Sequence, residues 1–136
     1  TLSGGATATV RDNVLADLGE AGILVEDGAQ ALVTANAITN TRTWGIHISG
    51  AESSGAVSDN VIRAAGMAGI AVSDAARATL LQNDLPVSDT QGILVEGEGT
   101  SAAVWRNTTR LGRVGATISK RSWAFSCASS QWDQLT

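Results

Sequence analysis

The chain has 136 residues, a formal net charge of −4, and 43% hydrophobic but only 4% aromatic residues. That length suits one domain. One histidine and one cysteine exclude a His/Cys metal cluster and an internal disulfide, and no apolar run is long enough to span a membrane.

The chain opens on Thr1-Leu2-Ser3-Gly4-Gly5-Ala6, which aligns with the middle of a later stretch: Leu2 falls on the Val25 position and Ala6 on Ala29. It therefore enters part-way round a repeating unit. Its first strand edges are expected to meet upstream coils or another chain end to end. The repeat itself is marked by a column of asparagines, Asn13, Asn36, Asn60, Asn83 and Asn107, spaced 23, 24, 23 and 24 residues apart. A second column is glycine: Gly22, Gly45, Gly69, Gly92 and Gly115. A fixed period of this length signifies a solenoid.

The apolar residues keep the same register. Val10, Val33, Val57, Leu80 and Val104 stand three before each Asn, and Ala8, Ala31, Gly55, Ala78 and Ala102 stand five before it. Leu15, Ile38, Ile62 and Leu85 follow two after, with Thr109 breaking the pattern. After each Gly comes an alternating pair such as Ile23 and Val25 or Ile46 and Ile48. Alternation of β-branched residues predicts strands with one buried face, two or three to a repeat. One repeat cannot bury that face alone. Stacked copies can, at about 4.8 Å per rung.

The expected fold is all-β: a single-stranded, right-handed parallel β-helix of about five coils with a C-terminal cap. The Asn column is expected at left-handed turn positions and in a stacked amide ladder. The Gly column is expected where a Cβ would clash. A leucine-rich repeat shares the period and the string Ala31-x-Val33-x-x-Asn36-x-Ile38, but it needs further leucines on a convex side. Here the second segment is the strand Gly-Ile-x-Val, which favours the β-helix.

Residues 1–114 read as the coils, the first incomplete. Residues 115–136 read as a last partial coil and cap, because Trp123, Phe125 and Trp132 cluster there beside Cys127. Pro86, the one proline, is placed at a turn.

Charge is uneven. Residues 1–100 hold 12 acidic and 4 basic side chains, and residues 101–136 hold 1 and 5. Arg106, Arg110 and Arg113, with Lys120 and Arg121, form a basic end that would face a polyanion. Without interleaved aromatics this is not a nucleic-acid signature. His47 falls on the outward position between Ile46 and Ile48, a surface site whose column neighbours Leu24 and Ala71 supply no acid–base partner. Acidic columns are interrupted: Asp12 and Asp59, or Asp27 and Asp74, skip one rung, and Glu26 and Glu96 are separated by Ser49 and Ser73. No cofactor or metal motif is present. The weak ligand-binding candidates are therefore Arg106, Arg110, Arg113 and His47, and no catalytic residue is assigned.

Lines of the form Gly-Ile-x-Val…Val-x-x-Asn-x-Ile, as in Gly22 to Ile38 and Gly45 to Ile62, resemble the repeats of pectate-lyase-like parallel β-helix proteins, over about residues 4–118. The resemblance implies polysaccharide lyases, glycoside hydrolases, uronate epimerases or non-catalytic surface modules, mostly secreted and bacterial. The catalytic clusters of that family do not map onto this chain. The expectation is thus a non-catalytic extracellular or cell-surface module, a scaffold or carbohydrate-binding domain of a larger protein, with a polysaccharide or protein partner. The alternative is a fragment of a polysaccharide-active enzyme whose catalytic coils lie elsewhere.

Overall fold

A computed structural model describes residues 1–88, 91–109, 114–118 and 123–127, with side chains described up to residue 86 and over 91–109. The first two coils hold β1 (Thr7–Arg11), β2 (Val14–Leu18), β3 (Ile23–Val25), β4 (Gln30–Thr34), β5 (Ala37–Thr41) and β6 (Trp44–Ser49). The next two hold β7 (Ser54–Ser58), β8 (Val61–Ala65), β9 (Ala68–Ser73), β10 (Arg77–Leu81), β11 (Asp84–Ser88) and β12 (Gln91–Val95). Then come β13 (Ser101–Trp105), β14 (Thr108–Thr109), β15 (Val114–Ile118) and β16 (Trp123–Cys127). Each complete coil thus carries three strands, one for each of three parallel sheets.

The sheets run β1-β4-β7-β10-β13-β16, β14-β11-β8-β5-β2 and β15-β12-β9-β6-β3. Every strand lies on its own copy one coil away, so the architecture is a parallel β-helix. The register is the one the sequence columns imply. Val33 pairs with Val57 and Val57 with Leu80; Ile38 pairs with Ile62; Ile46 pairs with Ile23 and Ile70. These residues fill the interior. Val33, Ile38, Ile46, Ile48, Ile70, Val72, Leu80 and Ile93 are wholly buried. Each such side chain contributes about 1.5–3 kcal/mol of apolar burial.

The Asn column forms the expected ladder, but its geometry corrects one expectation. The asparagines are not the left-handed residues. The residue before each one is: Asp12, Ala35, Asp59, Gln82 and Arg106 have φ between 52° and 56°. That residue makes the turn, and the asparagine after it turns its amide inward. Each interior amide then bridges to both neighbouring coils. Asn60 Nδ2 shares its two protons among the carbonyls of Val33 (3.0 Å) and Ser58 (2.9 Å) and Asn83 Oδ1 (2.9 Å). Asn60 Oδ1 accepts from the backbone N–H and side-chain amide of Asn36, both at 3.0 Å. Asn36, Asn60 and Asn83 are buried, whereas Asn13, on the first rung, is exposed.

The glycine column is where a Cβ has no room. A Cβ on Gly45 would lie 2.3 Å from Ile62 Cγ2 and 2.6 Å from the Gly69 carbonyl oxygen. Close approach, not a left-handed φ, is the requirement there.

The alternation of coil length has a local cause. The extra residue of the longer coils lies in the turn before β7 and before β13. At that turn the shorter coils bury Ala29 and Ala76, and the longer ones bury Ser53 and Thr100. The added hydroxyls accept from the preceding coil's turn, from Gly28 N–H and Ala75 N–H, both at 2.9 Å.

Two further expectations change. Pro86 lies within β11, not at a turn, and the pairing of β11 with β8 is irregular between Asp84 and Val87. Proline has no N–H for a ladder, and the register slips around it. At the C-terminal side, β15 and β16 extend two sheets in register, with Trp123 opposite Ser101 and Phe125 opposite Ala103. The expected cap contacts of Trp123, Phe125, Trp132 and Cys127 lie outside the described side chains.

Candidate functional site

The residues singled out by sequence do not converge. His47 stands on β6 in the second coil, while Arg106 follows β13 on a different sheet, in the fifth coil. Arg110 and Arg113 lie outside the described residues. Arg106 is exposed at its left-handed turn, with its guanidinium carbon 5.9 Å from the centroid of the Trp105 ring.

His47 is outward-facing by alternation and sits in register between Leu24 and Ala71. Yet only 9% of it is exposed, which corrects the expectation of an unpartnered surface site. The Trp44 ring packs on the imidazole with centroids 4.1 Å apart. Nε2 lies 2.9 Å from Ser73 Oγ, and that hydroxyl donates to Asp74 Oδ2 at 3.0 Å. Burial holds the imidazole below its ordinary pKa of 6.5, against an opposing pull from the Asp74 carboxylate.

A broader outward surface lies on the β1–β13 sheet, where small inward residues alternate with exposed ones. Its outward positions read Thr7, Thr9 and Arg11; Gln30, Leu32 and Thr34; Ser54, Ala56 and Ser58; Arg77, Thr79 and Leu81; then Ser101, Ala103 and Trp105. Most carry a hydroxyl, amide or guanidinium, presented at one rung spacing on a rigid sheet. Ser58 Oγ donates to Thr34 Oγ1 at 3.1 Å, so neighbouring rungs are linked across this face.

Beside the strip, the turns form a cleft of about 470 Å³ lined by Ala51, Glu52, Ser53, Ser54, Ala75, Arg77 and Gly99. It adjoins a shallower one of about 280 Å³ that shares Ser54 and Arg77 and adds Ala56 and Thr79. At the far end Trp105 presents an aromatic surface that is 41% exposed. Sequence reasoning did not single out Glu52, Ser54, Arg77 or Trp105. For Ser54, Arg77 and Trp105 the signal was available: they flank the small and branched residues of the Ala-x-Val line, so alternation turns them outward, whereas Glu52 lies in the turn before β7.

A family model for the right-handed β-helix region matches residues 1–124. The chain belongs to that family. No curated protein and no solved structure matches it.

In this right-handed β-helix the acidic columns stay apart. Asp12 and Asp59 occupy equivalent turn positions with Ala35 between them, two rungs or roughly 9–10 Å apart. Among the described residues, no group of three His, Cys, Asp or Glu side chains could hold a metal ion. Among the described residues, no helix is long and apolar enough to cross a membrane. A further cleft, of about 380 Å³, lies on the sheet of β2 and β5 and is lined by Asp17, Leu18, Gly19, Asn40, Thr41 and Arg42. Asn40 Nδ2 there donates to Asp17 Oδ1 at 2.6 Å, which occupies that carboxylate within its own wall. The β1–β13 face instead combines an exposed ring, surface hydroxyls and charged groups around open clefts.

Proposed function

We propose that this β-helix is a non-catalytic module that binds an extended polysaccharide along the outward face of the β1–β13 sheet, at a cell surface or outside the cell. The observation that carries the reading is the strip ending on exposed Trp105, with Arg106 beside its ring and the Glu52–Arg77 cleft upstream. A sugar ring offers an apolar face to an aromatic side chain and hydroxyls to polar ones. A parallel sheet presents its outward positions at fixed intervals, as a polymer presents its residues. The strands need no ordering on binding, so the protein adds little to the entropic cost of association.

The test is a binding screen of the chain against neutral and acidic polysaccharides at low and high salt. Retention of one class is expected, with Trp105→Ala weakening it about tenfold, the loss of about 1.4 kcal/mol of contact. Arg77→Ala and Arg106→Ala should weaken an acidic ligand more than a neutral one and flatten the salt dependence. Failure to bind any glycan would leave the chain as a scaffold. Release of reducing ends or unsaturated sugar from the polymer would place it with the polysaccharide-active enzymes instead.

A further inference from the structure

The His47 cluster lies on a different sheet from the proposed binding strip. We propose that His47, Ser73 and Asp74 form a proton-operated latch on the outward wall of β6 and β9, closed under Trp44 while the imidazole is neutral and opened when it takes up a proton.

The hydrogen-bond chain fixes the neutral form. Ser73 Oγ donates to Asp74 Oδ2 at 3.0 Å, so its lone pairs face His47 Nε2 at 2.9 Å. Nε2 therefore carries the proton and donates. Nδ1 is then a lone pair, and it is fully buried with no hydrogen-bond partner. As an unpartnered acceptor it costs a modest desolvation. As an N–H of an imidazolium it would be a buried donor with nothing to donate to, on a charged ring.

Two groups oppose opening. The Trp44 face, 4.1 Å away, attracts a cation, and Asp74 is its counter-charge. Neither supplies an acceptor at Nδ1. Around the ring, β3 presents Leu24, with Glu26 just beyond its end, and Arg42 precedes β6. On the other side β9 presents Ala71 and Ser73, followed by Asp74, with Glu96 past β12 one rung further. Of these charges, Asp74 is the one that acts on the imidazole, and burial outweighs it. Rotating the charged ring into water hydrates both nitrogens, leaves it near exposed Asp74, and strips Trp44 of its stacking partner.

The sign follows. A histidine whose folded pKa lies below the unfolded 6.5 stabilises the fold fully above 6.5, and that contribution is lost as pH falls through the folded value. Tryptophan fluorescence of the whole chain, followed from about pH 8 to about pH 5, reads the latch at Trp44. A reversible transition is expected with its midpoint below 6.5, absent from His47→Gln and from Trp44→Phe. In Asp74→Asn the midpoint should move lower, because the carboxylate that favours the charged ring is gone. Imidazole nitrogen NMR at the alkaline end should place the proton on Nε2. A midpoint at or above 6.5, a transition that survives His47→Gln, or an Nδ1–H tautomer would overturn the latch.

Discussion

Asn60→Ala is expected to destabilise the fold by about 3–5 kcal/mol, a large part of the 5–15 kcal/mol that holds a typical domain. The side chain is wholly buried and takes part in five hydrogen bonds. Alanine removes all five and leaves their partners in the interior of the stack. The Val33 carbonyl, the Asn83 Oδ1 and the Asn36 amides would each lose an interaction that solvent is poorly placed to replace. The Asn36 backbone N–H loses its acceptor, and an orphaned buried group costs about 1–3 kcal/mol; Asn83 Oδ1 and Asn36 Nδ2 keep other bonds, and the weakening of theirs adds the remainder.

Asn13→Ala is the internal comparison. Asn13 is exposed, and its amide reaches only the Arg11 carbonyl and Asn36 Oδ1. Its loss should cost under about 1 kcal/mol, because water can take over. Urea unfolding midpoints of the two variants, at unchanged slope, measure the difference. Equal losses at the two positions would mean that the ladder stabilises through turn propensity rather than through buried amides.

Gly45→Ala should be the next most damaging single change, at about 2–3 kcal/mol. Its Cβ would lie 2.3 Å from Ile62 Cγ2 and 2.6 Å from the Gly69 carbonyl oxygen. The first neighbour is the fixed branch methyl of a fully packed side chain, and the second is the backbone of the next rung. Neither can withdraw without separating two coils that are hydrogen-bonded along their length. Gly19→Ala separates this effect from glycine entropy. No heavy atom lies within 4 Å of a Cβ there, and its φ is not left-handed. That variant should stay within about 0.5 kcal/mol of the parent. A mild Gly45→Ala would show that the rungs slide easily past one another.

Both predictions rest on residues legible in the sequence, and the reason is physical. Coils stack in register, so a residue with one structural duty recurs with that duty. The asparagine, glycine and branched-apolar columns are therefore visible as spacing alone. What recurs as conformation without recurring as residue type is invisible. Asp12, Ala35, Asp59, Gln82 and Arg106 share a left-handed φ but no common chemistry. The duty was assigned to the asparagine beside them, whose identity repeats.

Single occurrences are harder still. The burial of His47 depends on Trp44, whose register partner on β9 is Ala68, so no column announced it. The outward strip was hidden for the opposite reason. Its residues vary from rung to rung, and repeat analysis discards what varies, although a binding face is built from such residues. The coil-length alternation was visible as a number. Its cause, a hydroxyl at Ser53 and Thr100 against a methyl at Ala29 and Ala76, needed the turn geometry.

Hydrogen exchange at the backbone amides of the ladder asparagines tests most directly whether one buried amide stack organises this β-helix. The N–H groups of Asn36, Asn60 and Asn83 donate to the Oδ1 of the following coil's asparagine at 3.0, 3.1 and 2.9 Å. They sit in turns, where amides ordinarily exchange fast. All three are expected to exchange only on global unfolding, as slowly as the interior strand amides of β7 and β8. Fast exchange at Asn60 while those strands stay protected would contradict this, because the ladder would then decorate the stack rather than hold it.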